Sequence, residues 1–467
     1  MKTISLIALA LCISAIACHR EDTDARAGWP RGVQPRVVGM AWQPCQRVPL
    51  DGKRVVPEVR CGAAAPAAQL CAVNLKTADE AAQELLLPQC TKPALAALEV
   101  LAATNSTAAV DLVAGYYVRA QRDDRPSDFL RALKTAEEAL KVRPESPELR
   151  FNIALTEEAL GLFSEAAISW NSYLAIDRTS EWAKEARQHL AELPAQPDES
   201  EAARRRRATE PMRAALLAND AQALEHAISD FPQTAQRYLD ENVLAEWAND
   251  PSAEKLELAR RMAAGLSHRS GDQFPLAEID AIVRAAASPE KVAALRSGHR
   301  AYAAARAPHH GTPEEFEAAS RDLARGGSPL RLMADVRAAG AVAPFEPVKA
   351  LGRTPALTDQ ITRYEYLAPL YLAHSVRGSS LSALSRYLEA LHAYDDALKI
   401  GTRLRDAETI AATRARQDGE LNMLGDPEAA WREVFAALRL LPRVTSSSDR
   451  HVTLGQAAET ALQLGHP

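Results

Sequence analysis

Cysteine, aromatic side chains, basic charge and long apolar runs are all scarce in this chain of 467 residues. All six cysteines lie in the first 90 residues, and aromatic residues make up 5% of the chain. The formal net charge of −6 argues against nucleic acid as a partner, because neutralising phosphates requires a basic surface. After the amino terminus no run reaches about 18 consecutive apolar residues, so no membrane-spanning helix is predicted.

What is abundant favours helices. Apolar residues account for 47% of the chain and charged residues for 25%, which is enough to build a folded core. Alanine, leucine, glutamate and arginine dominate, and all four have high helix propensity. With 21 glycines and 28 prolines serving as breaks, the composition predicts an all-α protein.

The amino terminus has the pattern of an export signal. Lys2 precedes an uncharged apolar run, Ile4–Ala17, which is too short to span a bilayer but matches the hydrophobic region of a signal peptide. The run ends in Ala15-Ile16-Ala17-Cys18, which resembles a bacterial lipobox, although Ala15 stands where leucine is usual. The resemblance implies cleavage after residue 17, lipidation of Cys18 and a membrane anchor at the cell envelope.

The same resemblance predicts which membrane of the envelope carries the protein and on which face. Because no aspartate follows Cys18 directly, the comparison with Gram-negative lipoproteins favours the periplasmic face of the outer membrane. Ordinary cleavage would instead release a secreted or soluble periplasmic protein, and this alternative stays open.

Four further cysteines predict disulfides. Cys45, Cys61, Cys71 and Cys90 form an even set, which in an exported chain indicates two bonds with three possible connectivities. We favour Cys45–Cys61, because the sequence Pro49–Gly52 can turn the chain between them, and this leaves Cys71–Cys90. Without a CxxC pair or an intervening histidine, no metal site is predicted, and no cofactor is expected.

A helical repeat is the strongest internal pattern. A shift of about 34 residues, the period of a tetratricopeptide (TPR) hairpin, places Ala132 on Ala166 and Leu140 on Leu174. In the clearer copy, Pro147–Arg178, Gly161 ends the first helix. The predicted inward stripe of the second helix is Ala166, Trp170, Tyr173 and Leu174. The copy departs from the repeat at Tyr173, where alanine is usual, and at Arg178, where proline is usual.

The same pattern returns near the carboxyl end, where Ala390, Tyr394 and Ala397 take second-helix positions. The fold class predicted is therefore a TPR-like helical-hairpin solenoid with a small disulfide-bearing N-terminal segment. The predicted divisions are a signal peptide (1–17), a tether (18–40), a Cys-containing segment (41–95), TPR-like repeats (96–193), a linker (194–208), degenerate helical pairs (209–340), a Pro-rich linker (341–358) and TPR-like repeats (359–467).

Several stretches resemble the repeat array that precedes the caspase-like domain in bacterial CHAT proteins. They are Leu149–Asn152, Trp170–Asp177, Glu181–Arg187, Ser270–Asp272, Gly298–Tyr302 and Glu389–Tyr394. The similarity runs from about residue 110 onward. The peptidase of that family uses a Cys–His dyad, and no cysteine follows Cys90. The resemblance therefore implies a scaffold that holds other proteins and does not extend to peptidase activity.

Asn152 is the candidate for binding a peptide. It occupies the sixth position of its repeat, which in peptide-binding relatives faces the concave groove. An amide offers a donor and an acceptor together, which matches a peptide backbone. Phe151 and Leu155 are predicted to line the same groove.

No sequence pattern points to a reaction. Motifs such as GxxxxGK[ST], HExxH and GxSxG are absent from positions that would give them meaning, so no catalytic residue is predicted. The function predicted is a non-enzymatic protein–protein interaction scaffold outside the cytoplasm, with a protein or peptide partner. The alternatives are an envelope-assembly lipoprotein, the non-catalytic half of a split caspase-like peptidase, or another hydrolase component.

Overall fold

The computed structural model describes residues 35–36, 71, 74–85, 90–193, 199–307 and 311–466. Within these ranges the chain is helical and has no β-strand, which confirms the predicted all-α class. The chain divides into two units. The first comprises Met1–Asp124 and Arg131–Leu193, and the second comprises Arg125–Leu130 and Pro194–Pro467. The predicted signal peptide and the lipidation site Cys18 lie outside the described residues.

The first unit is built from short antiparallel helices. They are α1 (Ala78–Leu85), α2 (Thr91–Leu101), α3 (Ser106–Arg122), α4 (Ser127–Val142), α5 (Pro147–Leu160), α6 (Phe163–Ile176) and α7 (Glu181–Glu192), with the start of α4 assigned to the second unit. α1 packs on both α2 and α3, α3 packs on α5, and α6 packs on α5 and α7. α2 also packs on α3, and packing of helices on their neighbours and on the next but one is typical of stacked helical hairpins.

A disulfide joins the chain ahead of α1 to the start of α2. Cys71 and Cys90 are bonded and lie 19 residues apart in the sequence. Closing a loop of that length contributes about 3 kcal/mol in the chain-entropy model. Both sulfurs are therefore unavailable as thiolates, although Glu84 lies close enough to complete a group of three metal-binding atoms. Cys45 and Cys61, the other predicted pair, lie outside the described residues.

The clearer repeat copy folds as its sequence predicts. Ser146 caps α5 by accepting a hydrogen bond from the Leu149 amide, and Gly161 ends the helix at φ 79°, a left-handed conformation that glycine adopts without strain. In α6 the side chains of Ala166, Trp170 and Tyr173 are fully buried. They form three positions of the predicted inward stripe, whereas Leu174, the fourth, is only partly buried.

The second unit is also built from packed helices. Its helices are α8 (Glu201–Ala218), α9 (Ala221–Asp230), α10 (Pro232–Tyr238), α11 (Leu244–Asn249), α12 (Ala253–Ser270), α13 (Phe274–Ala285), α14 (Pro289–Ala305), α15 (Pro313–Gly326), α16 (Leu330–Val342), α17 (Pro347–Arg363), α18 (Leu367–Ala383), α19 (Tyr387–Arg403), α20 (Ala407–Met423), α21 (Pro427–Leu438) and α22 (Ser447–Gln463). A π-helical turn, Leu239–Val243, joins α10 to α11. From α14 onward each helix packs on its successor, and α16 also packs on α18 and α20 on α22.

The predicted linker at 341–358 is wrong. α16 ends at Val342 and α17 spans Pro347–Arg363, so 343–346 alone connects the two helices. Pro347 occupies the first turn of α17, where the missing N–H costs nothing. Pro355 lies inside the helix and cannot bond the Leu351 carbonyl, but the Thr354 hydroxyl donates to that oxygen at 3.0 Å. The proline is therefore tolerated within a helix.

The other predicted linker, 194–208, is too long. α8 begins at Glu201, after Ser200 caps it by accepting a hydrogen bond from the Ala203 amide at 3.2 Å. The arginines of 204–207 belong to this helix. The boundaries at 95/96 and 358/359 also fall inside helices, α2 and α17 respectively.

Among the helices in the described ranges, none is both long and apolar enough to cross a membrane.

Candidate peptide-binding site

The candidate site lies on α5, α6 and α7 of the first unit. Glu148 and Asn152 are one turn apart on α5, so their side chains share a face of the helix. Tyr173 comes from the last turn of α6, and Trp182 from the first turn of α7. All four side chains contact a single residue from far away in the sequence, Arg36.

The Asn152 amide binds the backbone of Arg36. Its Oδ1 accepts a hydrogen bond from the Arg36 amide at 2.7 Å, and its Nδ2 donates to the Arg36 carbonyl at 2.8 Å. Both backbone groups of one residue are thus satisfied by one side chain, 116 residues along the chain. Asn152 is 1% exposed, and Pro35 beside Arg36 is buried. The amide therefore pairs with a backbone N–H and a backbone C=O of the chain itself, and its binding of a separate peptide stays a prediction.

Aromatic and acidic side chains contact the guanidinium group of Arg36. Its guanidinium carbon lies 4.9 Å from the centroid of the Trp182 ring, which is the geometry of a cation–π contact. One guanidinium nitrogen donates to the Tyr173 hydroxyl at 3.0 Å, and another lies 3.8 Å from Glu148 Oε1. The side chains of Arg36 and Glu148 are 13% and 18% exposed, so water screens this pair less than it would on an open surface.

A hydrogen bond to Asp177 orients the Tyr173 hydroxyl. It donates a hydrogen bond to Asp177 Oδ2 at 2.6 Å, so its lone pairs point to the guanidinium of Arg36. Burial and the bond to Asp177 raise the pKa of Tyr173 and keep the phenol neutral. Partial burial acts to raise the pKa of Asp177, yet hydrogen bonds from Ser180 and Tyr173 leave it below its ordinary value. The carboxylate is therefore charged and fixes the phenol as a donor toward itself.

The predicted groove-lining residues lie deeper than expected. Phe151 is fully buried and meets the rings of Trp170, Tyr173 and Trp182 edge to face, with centroids 4.9, 5.3 and 5.2 Å away. Leu155 is 1% exposed. Phe151 thus supports the aromatic wall from below, because a third helix, α7, covers the face of α5 that a single hairpin would leave open. Contact of either side chain with a separate peptide stays a prediction.

Arg36, Tyr173 and Trp182 were not singled out for binding by the sequence. Tyr173 carried a signal, because it departs from the alanine usual at its repeat position. Trp182 follows the cap residue Ser180 in an ordinary helix start and gives no such signal. Arg36 lies in the segment predicted as a tether, 18–40. Because Arg36 contacts α5 and α6, at least this part of the segment is packed on the repeats.

Comparisons with known proteins add little. No family model matches the chain, and no curated protein matches it. Among solved structures, yeast Tom70 is 11% identical, with 83% of this chain and 95% of that chain covered at a TM-score of 0.25. The Cut9–Hcn1 hetero-tetramer of the APC/C is 16% identical, with 82% and 89% covered at a TM-score of 0.25. Similarity at this level leaves the fold to rest on the chain's own stacked helical hairpins.

Proposed function

We propose that this protein is a non-catalytic interaction scaffold that binds an extended peptide segment of a partner protein on α5–α7. The observation that carries the proposal is the pair of hydrogen bonds between Asn152 and Arg36, in which Asn152 accepts from the Arg36 N–H and donates to the Arg36 C=O. A side chain that pairs with backbone N–H and C=O binds an extended chain whatever its side chains are. Such bonds supply affinity, and the neighbouring pockets supply specificity.

The rigidity of the site also favours binding. Asn152, Tyr173 and Trp182 lie on helices whose packing fixes their rotamers, so ordering them costs a ligand little conformational entropy. Tyr173 is fixed further by its bond to Asp177. Both cysteines in the described ranges, Cys71 and Cys90, are in a disulfide, so neither can serve as a peptidase nucleophile. The similarity to CHAT arrays supports the same role, that of holding a protein.

Measured in a chain that also carries Arg36→Ala, so that the internal segment competes less, Asn152→Ala is expected to weaken peptide binding by up to about thirty-fold, since two backbone hydrogen bonds worth about 1 kcal/mol each are lost. Peptides selected by display against the full chain would serve as probes, with affinities measured by fluorescence polarisation. Asn171→Ala is the matched control, because Asn171 is exposed on α6 and its amide bonds only its own helix, at the Ala167 carbonyl. Equal affinity for the two variants, or the failure of any peptide to bind, would contradict the proposal.

We also propose that the protein works outside the cytoplasm, anchored by lipid at Cys18. The lipobox-like sequence Ala15–Cys18 and the apolar run before it support export. The Cys71–Cys90 disulfide supports an oxidising compartment, since such bonds are rare in the cytosol.

Cys18→Ser is expected to abolish incorporation of radiolabelled palmitate and to move the protein from the membrane pellet to the soluble fraction. Cys12→Ser changes a cysteine within the apolar run and serves as the control, because it leaves the acylation site intact. Palmitate label that persists on the Cys18→Ser protein would refute the anchor.

A further inference from the structure

We propose that the site on α5–α7 recognises arginine, and that Arg36 of the chain itself occupies it until an arginine-bearing peptide of a partner replaces it. This inference rests on the proposed peptide-binding function. It specifies that the partner must present an arginine side chain, and that Arg36 fills the site before the partner binds. The occupant is defined by the contacts of Arg36, which joins the site by backbone and side chain together.

The surround of the side chain fits a guanidinium group. A flat, delocalised cation stacks on an indole ring and directs its in-plane N–H groups outward. The Trp182 ring supplies the face at 4.9 Å, the Tyr173 hydroxyl accepts at 3.0 Å in the direction of one nitrogen, and Glu148 supplies negative charge near another. The Tyr173 ring lies on the same guanidinium at 5.8 Å.

Lysine would fit this surround less well. An ammonium group has no flat face to stack, and one point charge cannot lie on Trp182 and reach both Tyr173 and Glu148 as a planar fork does. An uncharged side chain would leave Glu148 without a cation. The partner segment is therefore an extended peptide with arginine at the position that Asn152 clamps.

Occupation by the chain's own residue implies competition. Arg36 belongs to the same polypeptide as the site, so its binding is intramolecular and its effective concentration there is high. A free peptide must displace it and binds with a reduced apparent affinity. Weakening the internal contact therefore opens the site to a partner, and the amino-terminal segment regulates access to it.

The test uses the full chain and a labelled synthetic peptide with the sequence of residues 31–40, Arg-Gly-Val-Gln-Pro-Arg-Val-Val-Gly-Met. Arg36→Ala in the protein is expected to raise affinity for this peptide at least about tenfold over the parent chain, because the internal competitor loses its side-chain contacts. A peptide with alanine for its second arginine is expected to bind the same protein at least about tenfold more weakly, and one with lysine to fall between them. Thermal melting confirms that each variant is folded.

Two conservative variants locate the selectivity. Tyr173→Phe and Glu148→Gln, each combined with Arg36→Ala, are expected to reduce binding of the arginine peptide while leaving the alanine peptide unchanged. Equal binding of the arginine and alanine peptides, with Asn152 still required, would overturn arginine recognition but not the proposed function. An unchanged affinity after Arg36→Ala would overturn the internal occupancy.

A measurement on the unmodified chain does not depend on the folding of any variant. The Arg36 amide donates to Asn152 Oδ1, so its hydrogen exchange with deuterated solvent reports whether Arg36 occupies the site. Exchange at the Arg36 amide is expected to be slow in the parent chain and to accelerate several-fold when the arginine peptide is added in excess, but not when the alanine peptide is added. Equal acceleration by the two peptides, or none by either, would count against displacement of Arg36.

Discussion

Gly298→Val is expected to lower the free energy of unfolding of the second unit by about 3 kcal/mol. A β-carbon on Gly298 would lie 2.7 Å from Leu323 Cγ and 2.8 Å from the Leu323 backbone nitrogen. A leucine side chain can turn aside, but the backbone of α15 can move only if the whole helix shifts. Valine adds two further methyl groups at the same point, so α14 and α15 would have to separate.

Each of the two helices places a glycine against a leucine of the other, and this raises the cost of the Gly298→Val substitution. Gly326 on α15 faces Leu295 on α14, three residues before Gly298, just as Gly298 faces Leu323. Leu295 and Leu323 are both fully buried, so each leucine fills the space that the opposite glycine leaves. Separating the helices at one pair opens the other and creates a cavity there.

Gly352→Val is the matched control for the steric argument. Gly352 also lies inside a helix, α17, but it is exposed, and apart from the adjoining backbone of its own helix no atom of the described residues lies within 4 Å of its ideal β-carbon. Valine there should change stability by no more than a few tenths of a kcal/mol, since the two residues differ little in helix propensity. Chemical denaturation of the full chain, followed by circular dichroism, measures both variants. Similar losses at the two glycines would show that helix propensity, and not helix contact, sets the cost.

Helix content was predictable because it depends on local composition and period. Gly161, Ser288-Pro289 and Gly327 end or begin helices where the sequence places breaks. Prolines were a poorer guide, since Pro355 lies inside α17. What allows it is the Thr354 hydroxyl, which bonds the carbonyl that proline leaves open. Whether that rotamer is available depends on the packed helix and cannot be deduced from the residue order.

The sequence indicated Asn152 as part of the candidate site but did not indicate the residue that it contacts. Asn152 follows from its repeat position, because a repeat fixes which face of a helix each position occupies. Its partner Arg36 lies in a segment without periodicity, 116 residues away, where nothing in the sequence indicates a contact. Phe151 was placed in the groove because a two-helix repeat leaves that face open. The burial of its ring under Trp182 needs the third helix, α7.

The interior of the second unit contains a carboxyl group that should make its stability depend on pH. Glu278 on α13 is fully buried, and neither of its oxygens has a hydrogen-bond partner among the described residues. Burial, together with the charges of Asp240 and Asp272, raises the pKa of Glu278 well above its ordinary value. The folded protein therefore keeps Glu278 protonated at pH values where the unfolded chain has released the proton.

The sign of the effect follows from proton linkage. Between the ordinary pKa of about 4.5 and the raised value, the folded state binds more protons than the unfolded state, so stability falls as the pH rises. Asp240 acts in the same direction, since burial raises its pKa to about 8. His299 acts in the opposite direction in a lower range. Burial lowers its pKa to about 4, so its contribution to stability is lost as the pH falls below about 6.5.

Glu278→Gln removes one titrating group and keeps the shape of the side chain. The variant is expected to gain stability relative to the parent as the pH rises from 5 to 8, by up to about 1.4 kcal/mol per pH unit while the folded parent keeps the proton on Glu278. The contributions of Asp240 and His299 are present in both proteins and largely cancel in the difference. Urea unfolding at several pH values measures the gain, with the unfolding midpoint and slope recorded at each pH.

Glu290→Gln controls for the change in net charge, because Glu290 is exposed at the start of α14. The burial argument would be contradicted if the free energies of unfolding of the parent and of Glu278→Gln fell in parallel from pH 5 to pH 8. Such parallel curves would mean that Glu278 has a polar partner in solution, such as a water molecule that pairs with its carboxylate and lets it ionise inside the helical stack.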